Sequence, residues 1–166
     1  ERAGPPGLLL CSGSALHPRS LPDGSTLLGD IFALAGDICV GPGEGWGKFL
    51  SFAGYGETLR IERAPITGLP LYWARYGDGI LFASHLHLIA DLLAGIEIDR
   101  EFVAQSLSYI NMRTERTGLC GLSELLPGSR FAYDGRTVRI TSTWSPWDHV
   151  APSRPPDARE LARALE

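Results

Sequence analysis

Cysteine is scarce in this 166-residue chain: Cys11, Cys39 and Cys120 are odd in number, widely spaced and form no CxxC pair. That spacing argues against a structural zinc site and against a disulfide scaffold. Three reduced core thiols are the expectation. Long apolar runs are missing as well. The longest, GLLLC at Gly7–Cys11, suits a buried strand and falls far short of the roughly 20 residues that cross a bilayer. No secretory signal pattern opens the chain, so the expected setting is cytoplasmic, with no membrane contact. Charge of one sign is not concentrated either. The net charge is −4 with acids and bases interleaved, whereas a nucleic-acid surface needs a basic stripe. Neither GxSxG, HExxH nor a P-loop occurs. GPGEGWGK at Gly41–Lys48 has the glycines of a phosphate loop without the GK[ST] ending, and its glycines are read as permitting a turn before a strand at Phe49.

What is present is ordinary for one globular domain: 44% hydrophobic and 20% charged residues. The first readable strand is Gly7–Ser12, and PDGS at Pro22–Ser25 predicts a turn. A strand follows within Ser25–Leu34. Gly36–Gly47, with five glycines in twelve residues, reads as a loop. KFLSFAG and TLRIERA flank Tyr55–Gly56–Glu57. In the second of these, Leu59 and Ile61 alternate with Arg60 and Glu62, the period of a half-buried strand. Two Asp-Gly turns, at Asp78 and Asp134, each sit between apolar runs and predict hairpins, because such turns need positive φ. Between them the period changes. Leu86, Ile89 and Leu93 predict a helix capped by Ser84 and ended before Gly95. Asp99 predicts the cap of a second helix, with Phe102, Val103, Leu107 and Ile110 on one face. Pro146–Pro156 carries four of the twelve prolines and reads as a linker. The chain opens on Glu1 and stops inside the helical pattern DARELARALE, which suggests a piece of a longer protein. The predicted organisation is a domain over 1–148, then 149–166 as linker and the start of a downstream helix. Strands, a helix pair and more strands predict an α+β fold with antiparallel sheets.

The candidate chemistry is thin. His85 and His87 would point about 200° apart on a helix and could not share a metal there, and His17 and His149 are isolated loop histidines. A cysteine nucleophile needs a base or a depressed pKa. Cys11 follows Leu8, Leu9 and Leu10, so core packing is its simpler role. No metal ligand set is expected.

Taken in order, several segments resemble a family. RAPITGLPLYWAR (Arg63–Arg75) followed by GDGILFASHLHLIADLL (Gly77–Leu93) resembles the N-terminal domain of asparagine synthetase-like proteins, with their Arg-Asp-Pro run, Pro-Leu-Tyr-Tyr strand and Phe-Ala-Ser return. EIDREFVAQSLSYI, GLCGLSELLPGSRFAYDG and TSTWSPWD continue the series, and LLGDIF (Leu27–Phe32) resembles the family's Asn-Gly-Glu-Ile-Tyr strand. The likeness covers about Leu27 to Asp148. Arg63–Tyr72 and GWGKFLSFAG are most similar to bacterial lasso peptide cyclases, ATP-dependent enzymes that close a macrolactam ring on a precursor peptide. The resemblance implies a class II amidotransferase-like domain: an Ntn-hydrolase-like αββα sandwich of mostly antiparallel sheets, not necessarily complete in this chain.

Departures from the family pattern imply that the glutaminase chemistry is lost. Active relatives use an N-terminal cysteine whose α-amino group is the base; here Glu1 is terminal and Cys11 internal. Leu28 stands where the family has the Asn of its oxyanion hole, and losing one such donor costs about 10²–10³ in rate. The stretch that should hold the family's substrate-binding Asp is shortened and offers Asp37, and Arg19 stands alone where a basic loop is expected. Arg63 is expected to pair locally, and Ala64 replaces the family's Asp. No catalytic or substrate-binding residue is therefore expected, only a degenerate pocket near Leu28, Gly29 and Asp30. The synthetase domain's Ser-Gly-Gly-x-Asp-Ser loop does not occur, so ATP and Mg²⁺ are expected in a downstream domain. The expected partners are that C-terminal synthetase domain, a precursor peptide, a leader-processing protein and a second copy in a homodimer. Two alternatives stay open: the glutamine-hydrolysing domain of a true asparagine synthetase with its nucleophile outside this chain, and a stand-alone binding module. β-Lactam synthetase is a further relative of the same kind.

Overall fold

The computed structural model describes residues 18–32, 46–55, 58–93, 95–111, 113–148 and 150. The predicted strand at Gly7–Ser12, most of the Gly36–Gly47 loop, Cys11, His17, Asp37, Cys39, His149 and the segment from Asp157 lie outside them.

Seven residues of the LLGDIF region form β2 (Thr26–Phe32), preceded by the two-residue β1 (Arg19–Ser20). The turn between them is the predicted one. Asp23 Oδ1 accepts from both the Ser25 amide and the Ser25 hydroxyl, at 2.9 and 2.6 Å, and these bonds hold the Asp23 carboxyl below its usual pKa. β3 (Trp46–Tyr55) pairs with β2 on one side and β4 (Thr58–Arg63) on the other. The chain then leaves this sheet. β5 (Tyr72–Tyr76) and β6 (Gly79–Ala83) form the first hairpin, but its turn is Gly77-Asp78, with Gly77 at φ +56°, not the predicted Asp78-Gly79: Gly79 is already paired with Tyr76. α1 (Leu86–Ala90), α2 (Arg100–Ser108) and β7 (Leu122–Glu124) follow. The second hairpin, β8 (Ser129–Tyr133) and β9 (Val138–Ser142), returns to the first sheet beside β4. The result is a six-stranded sheet, β1-β2-β3-β4-β8-β9, and a three-stranded sheet, β6-β5-β7, each antiparallel throughout. The fold is α+β with mostly antiparallel strands, as predicted.

The pleat explains how these elements stack. Leu50, Phe52, Ile61 and Phe131 project from one face of the large sheet into a cluster with Leu71, Leu125, Trp73, Ile80 and Phe82. Phe131 is fully buried, and the rings of Trp73 and Phe82 meet it edge-on at 5.2 and 5.1 Å, the arrangement that ring quadrupoles favour. The alternate residues of the small sheet, Tyr72, Ala74, Leu81 and Ala83, face the other way and pack against Ile89 and Leu86 of α1. Both faces of the small sheet are therefore covered, which accounts for the unbroken apolar run GILFA in β6. On the far face of the large sheet a separate cluster forms from Leu27, Phe49 and Ala64. The described layers are thus large sheet, small sheet and α1. Among the described residues no helix is long and apolar enough to cross a membrane.

Three expectations about the helical segment need correction. α1 begins after His85, not Ser84: His85 holds an extended backbone, and the Ser84 hydroxyl is bonded to His85 Nδ1 at 2.8 Å instead of capping the helix. α1 is also short, ending at Ala90, although Gly95 does adopt positive φ. α2 is capped by Asp99 as predicted, through the Phe102 amide at 3.1 Å. Its apolar stripe, however, does not enter the core: Leu107 is 79% and Ile110 82% exposed, and no α2 residue is buried. Local periodicity creates the stripe, but the neighbouring elements bury their own faces on each other and leave it outside.

Candidate functional site

The positions singled out near the N-terminal hairpin do not assemble a polar pocket. Leu28 is half-buried and packs against the inter-sheet cluster. Gly29 has φ +103°, and a Cβ there would lie 2.1 Å from the Lys48 carbonyl, so the backbones approach too closely for any side chain. Asp30 lies opposite Lys48 in register, with its side chain 70% exposed. Arg19 Nη2 stands 3.9 Å from Asp30 Oδ1, a loose surface pair.

Arg63 is the position where the structure most changes the reading. It pairs, but across 61 positions and between sheets: Nη1 donates to Glu124 Oε1 at 2.6 Å and to the Leu125 carbonyl, with the side chain 1% exposed. Its Nε is buried without a partner. A guanidinium this deep is tolerable only with a counter-charge and hydrogen bonds, and Glu124 on β7 supplies both. Ala64 is buried, and its amide donates to the Phe49 carbonyl at 3.0 Å. Arg63 thus ties the end of β4 in the large sheet to β7 in the small one.

Two smaller expectations also change. Cys120 is exposed in the turn before β7 and is not a core thiol. His85 and His87 do not diverge, because His85 precedes the helix; their ring centroids are 5.7 Å apart. They supply two ligands only, and among the described residues no group of three or more His, Cys, Asp or Glu could hold a metal.

The cavity of interest opens beside Glu124. It is an open cleft of about 450 Å³ with Tyr72, Leu86 and Phe102 as apolar wall and Arg113, Thr114 and Glu124 among its polar groups. The loop between α2 and β7 builds its rim. Arg116 in that loop is fully engaged: Nε and Nη2 grip Asp99 in a fork at 2.8 and 2.5 Å, and the guanidinium lies 5.5 Å above the Phe102 ring. The Arg116 hydrogen bond, followed by the Phe102 amide, holds the Asp99 carboxyl below the usual range, and the same pair raises Arg116 further. Arg113 is held differently. Its Nη2 donates to Glu124 Oε1 at 2.5 Å, the oxygen that already receives Arg63, and its side chain is 58% exposed.

Sequence reasoning missed Glu124, Arg113 and Arg116. One signal was available: in GLSELL a carboxylate stands within an apolar run at a strand-like period, which points to a buried acid needing a cation. Its partners lie too far along the chain to be read locally. The chain matches no family model and none of the curated proteins with which it was compared.

Proposed function

We propose that this chain is a catalytically degenerate glutaminase-like domain, of the Ntn-hydrolase-like sandwich type, belonging to an ATP-dependent amide-forming ligase of the asparagine synthetase-like kind, with lasso peptide cyclases the most similar members. Its role is structural or partner-binding, in the cytoplasm, beside a synthetase domain and the peptide that domain acts on. Two stacked antiparallel sheets with α1 outside the smaller one are compatible with that family's sandwich. The carrying observation is Leu28. At the position where the resemblance puts an oxyanion donor, an isobutyl group packs into the inter-sheet cluster and can donate nothing to developing negative charge. The chain has no Ser-Gly-Gly-x-Asp-Ser loop, and this reading assigns ATP and Mg²⁺ to the downstream synthetase domain.

The test is ammonia release from L-glutamine by the protein as its full coding sequence encodes it. The expected result is no release above the enzyme-free rate, with amide formation independent of glutamine. Glutamine turnover that a Cys→Ala change abolishes would refute this reading and favour a working glutaminase.

A further inference from the structure

The loop between α2 and β7 gathers more hydrogen-bond donors at the cleft than the cleft's own acceptors take up. Arg113 has five N–H donors, and among the described residues one of its nitrogens, Nη2, has a partner. Thr114 Oγ1 accepts from the Arg116 amide at 3.3 Å, which leaves the hydroxyl proton free to donate. Asn111, also on the lining, is the one non-glycine among the described residues with positive φ, at +73°. That backbone is tolerated by asparagine better than by most residues, and nothing among the described residues bonds its carboxamide. The ion pairs are shared unevenly. Arg63 and Arg113 both lean on the single carboxylate of Glu124, while Arg116 is held by Asp99 at 2.5 Å and by Glu101 at 3.4 Å. Arg113, the exposed one of the two arginines on Glu124, therefore has donors to spare at the cleft, above the apolar wall of Tyr72, Leu86 and Phe102.

We propose that this cleft binds a monocarboxylate carried on an apolar or aromatic body, with Arg113 receiving the carboxylate and Thr114 and Asn111 supplying the neutral donors. The volume, about 450 Å³, is in the range of small-molecule sites. A planar guanidinium suits a carboxylate's two oxygens, and a single arginine with donors to spare suits a monoanion better than a dianionic phosphate. The carboxylate belongs either to a free organic acid or to an acidic or C-terminal group of a peptide. The proposal stands apart from the glutaminase-like reading: it uses none of the residues near Leu28.

The experiment is an NMR titration of the whole chain with phenylacetate, following the arginine Nε–Hε signals and the backbone amides. Phenylacetamide and inorganic phosphate serve as comparison probes, and a short blocked peptide with one Phe and one Glu separates the two carboxylate sources. Saturable shifts confined to Arg113, Thr114 and Asn111, with affinity on the order of millimolar, are expected for phenylacetate and not for the amide. Tighter binding of the peptide assigns the site to a peptide carboxylate, and weaker binding assigns it to a free acid. R113Q should weaken binding by about tenfold or more and R113K by less, while R75Q, on an exposed arginine of β5, leaves it unchanged. The proposal is overturned by equal binding of phenylacetamide, by phosphate binding more tightly than phenylacetate, by no saturable shift, or by R113Q binding as well as the unaltered protein.

Discussion

Removing the carboxylate of Glu124 should be the most damaging single polar change in the molecule. Arg63 is almost wholly enclosed, with the Leu125 carbonyl and Glu124 as its hydrogen-bonding partners and its Nε already unpaired. Glu124→Gln leaves a buried guanidinium with no counter-charge, a defect that typically costs about 3–5 kcal/mol. Against a total stability of about 5–15 kcal/mol, that brings the protein close to unfolding. The reverse deletion is milder. Arg63→Met leaves Glu124 bonded to Arg113, whose guanidinium is 58% exposed, and also removes the orphaned Nε, so about 1–3 kcal/mol is expected. Replacing both, with Arg63→Met and Glu124→Leu together, removes the buried charges as a pair and should recover much of the loss. Urea unfolding followed by tryptophan fluorescence reads the order directly, since Trp73 packs against Phe131 between the sheets. The reasoning fails if E124Q lies within about 1 kcal/mol of the unaltered protein, or if R63M costs more than E124Q. Should E124Q not fold, the double variant decides: it must be more stable than Glu124→Leu alone.

Two further changes probe the backbone and the cap. Gly29→Ala would force a Cβ to within 2.1 Å of the Lys48 carbonyl at φ +103°, so a loss of at least about 1–3 kcal/mol is expected from strain alone; a urea midpoint unchanged from the parent would contradict the close approach of β2 and β3. Asp99 is held below its usual pKa by Arg116 and by the Phe102 amide. Its stabilising contribution is therefore fully present above the unfolded value of about 3.9 and fades as pH falls through the lower folded value. The stability gap between the parent and D99N should narrow with acidification below about pH 4; a gap that stays constant down to about pH 2 would show that Asp99 does not act through its charge.

The elements readable in advance were those whose cause is local. Both hairpins form where the sequence places them, but only the second turns on its Asp-Gly, with Gly135 at φ +87°. In the first the turn residues are Gly77, at φ +56°, and Asp78, while Gly79, already in β6, pairs with Tyr76. The Asp99 cap is readable for the same reason, since its partner is three residues away. β7 was not, because it is three residues long and its partner strand, β5, lies some fifty positions earlier, as the pairing of Tyr72 with Glu124 shows. Ser84 was misread as a cap because its hydroxyl had a competing partner, the ring of His85, that no propensity scale weighs. The exposed stripe of α2 belongs to the same class: periodicity states which residues share a face, and only the tertiary arrangement states what that face meets.

The cleft carries this distinction into function. Near Leu28, where the family likeness points, there is a tight backbone crossing and a half-buried apolar side chain against the core. At Glu124 no likeness drew attention, yet burial forces chemistry onto the residue. A carboxylate that shares one oxygen between an enclosed arginine and an exposed one cannot fully neutralise both. The enclosed arginine has nowhere else to turn, so the donors to spare are those of Arg113, which faces solvent in a cleft with an apolar wall. The bond that braces the two sheets therefore also leaves Arg113 ready to receive an anion, and E124Q should weaken the brace while R113Q leaves it intact.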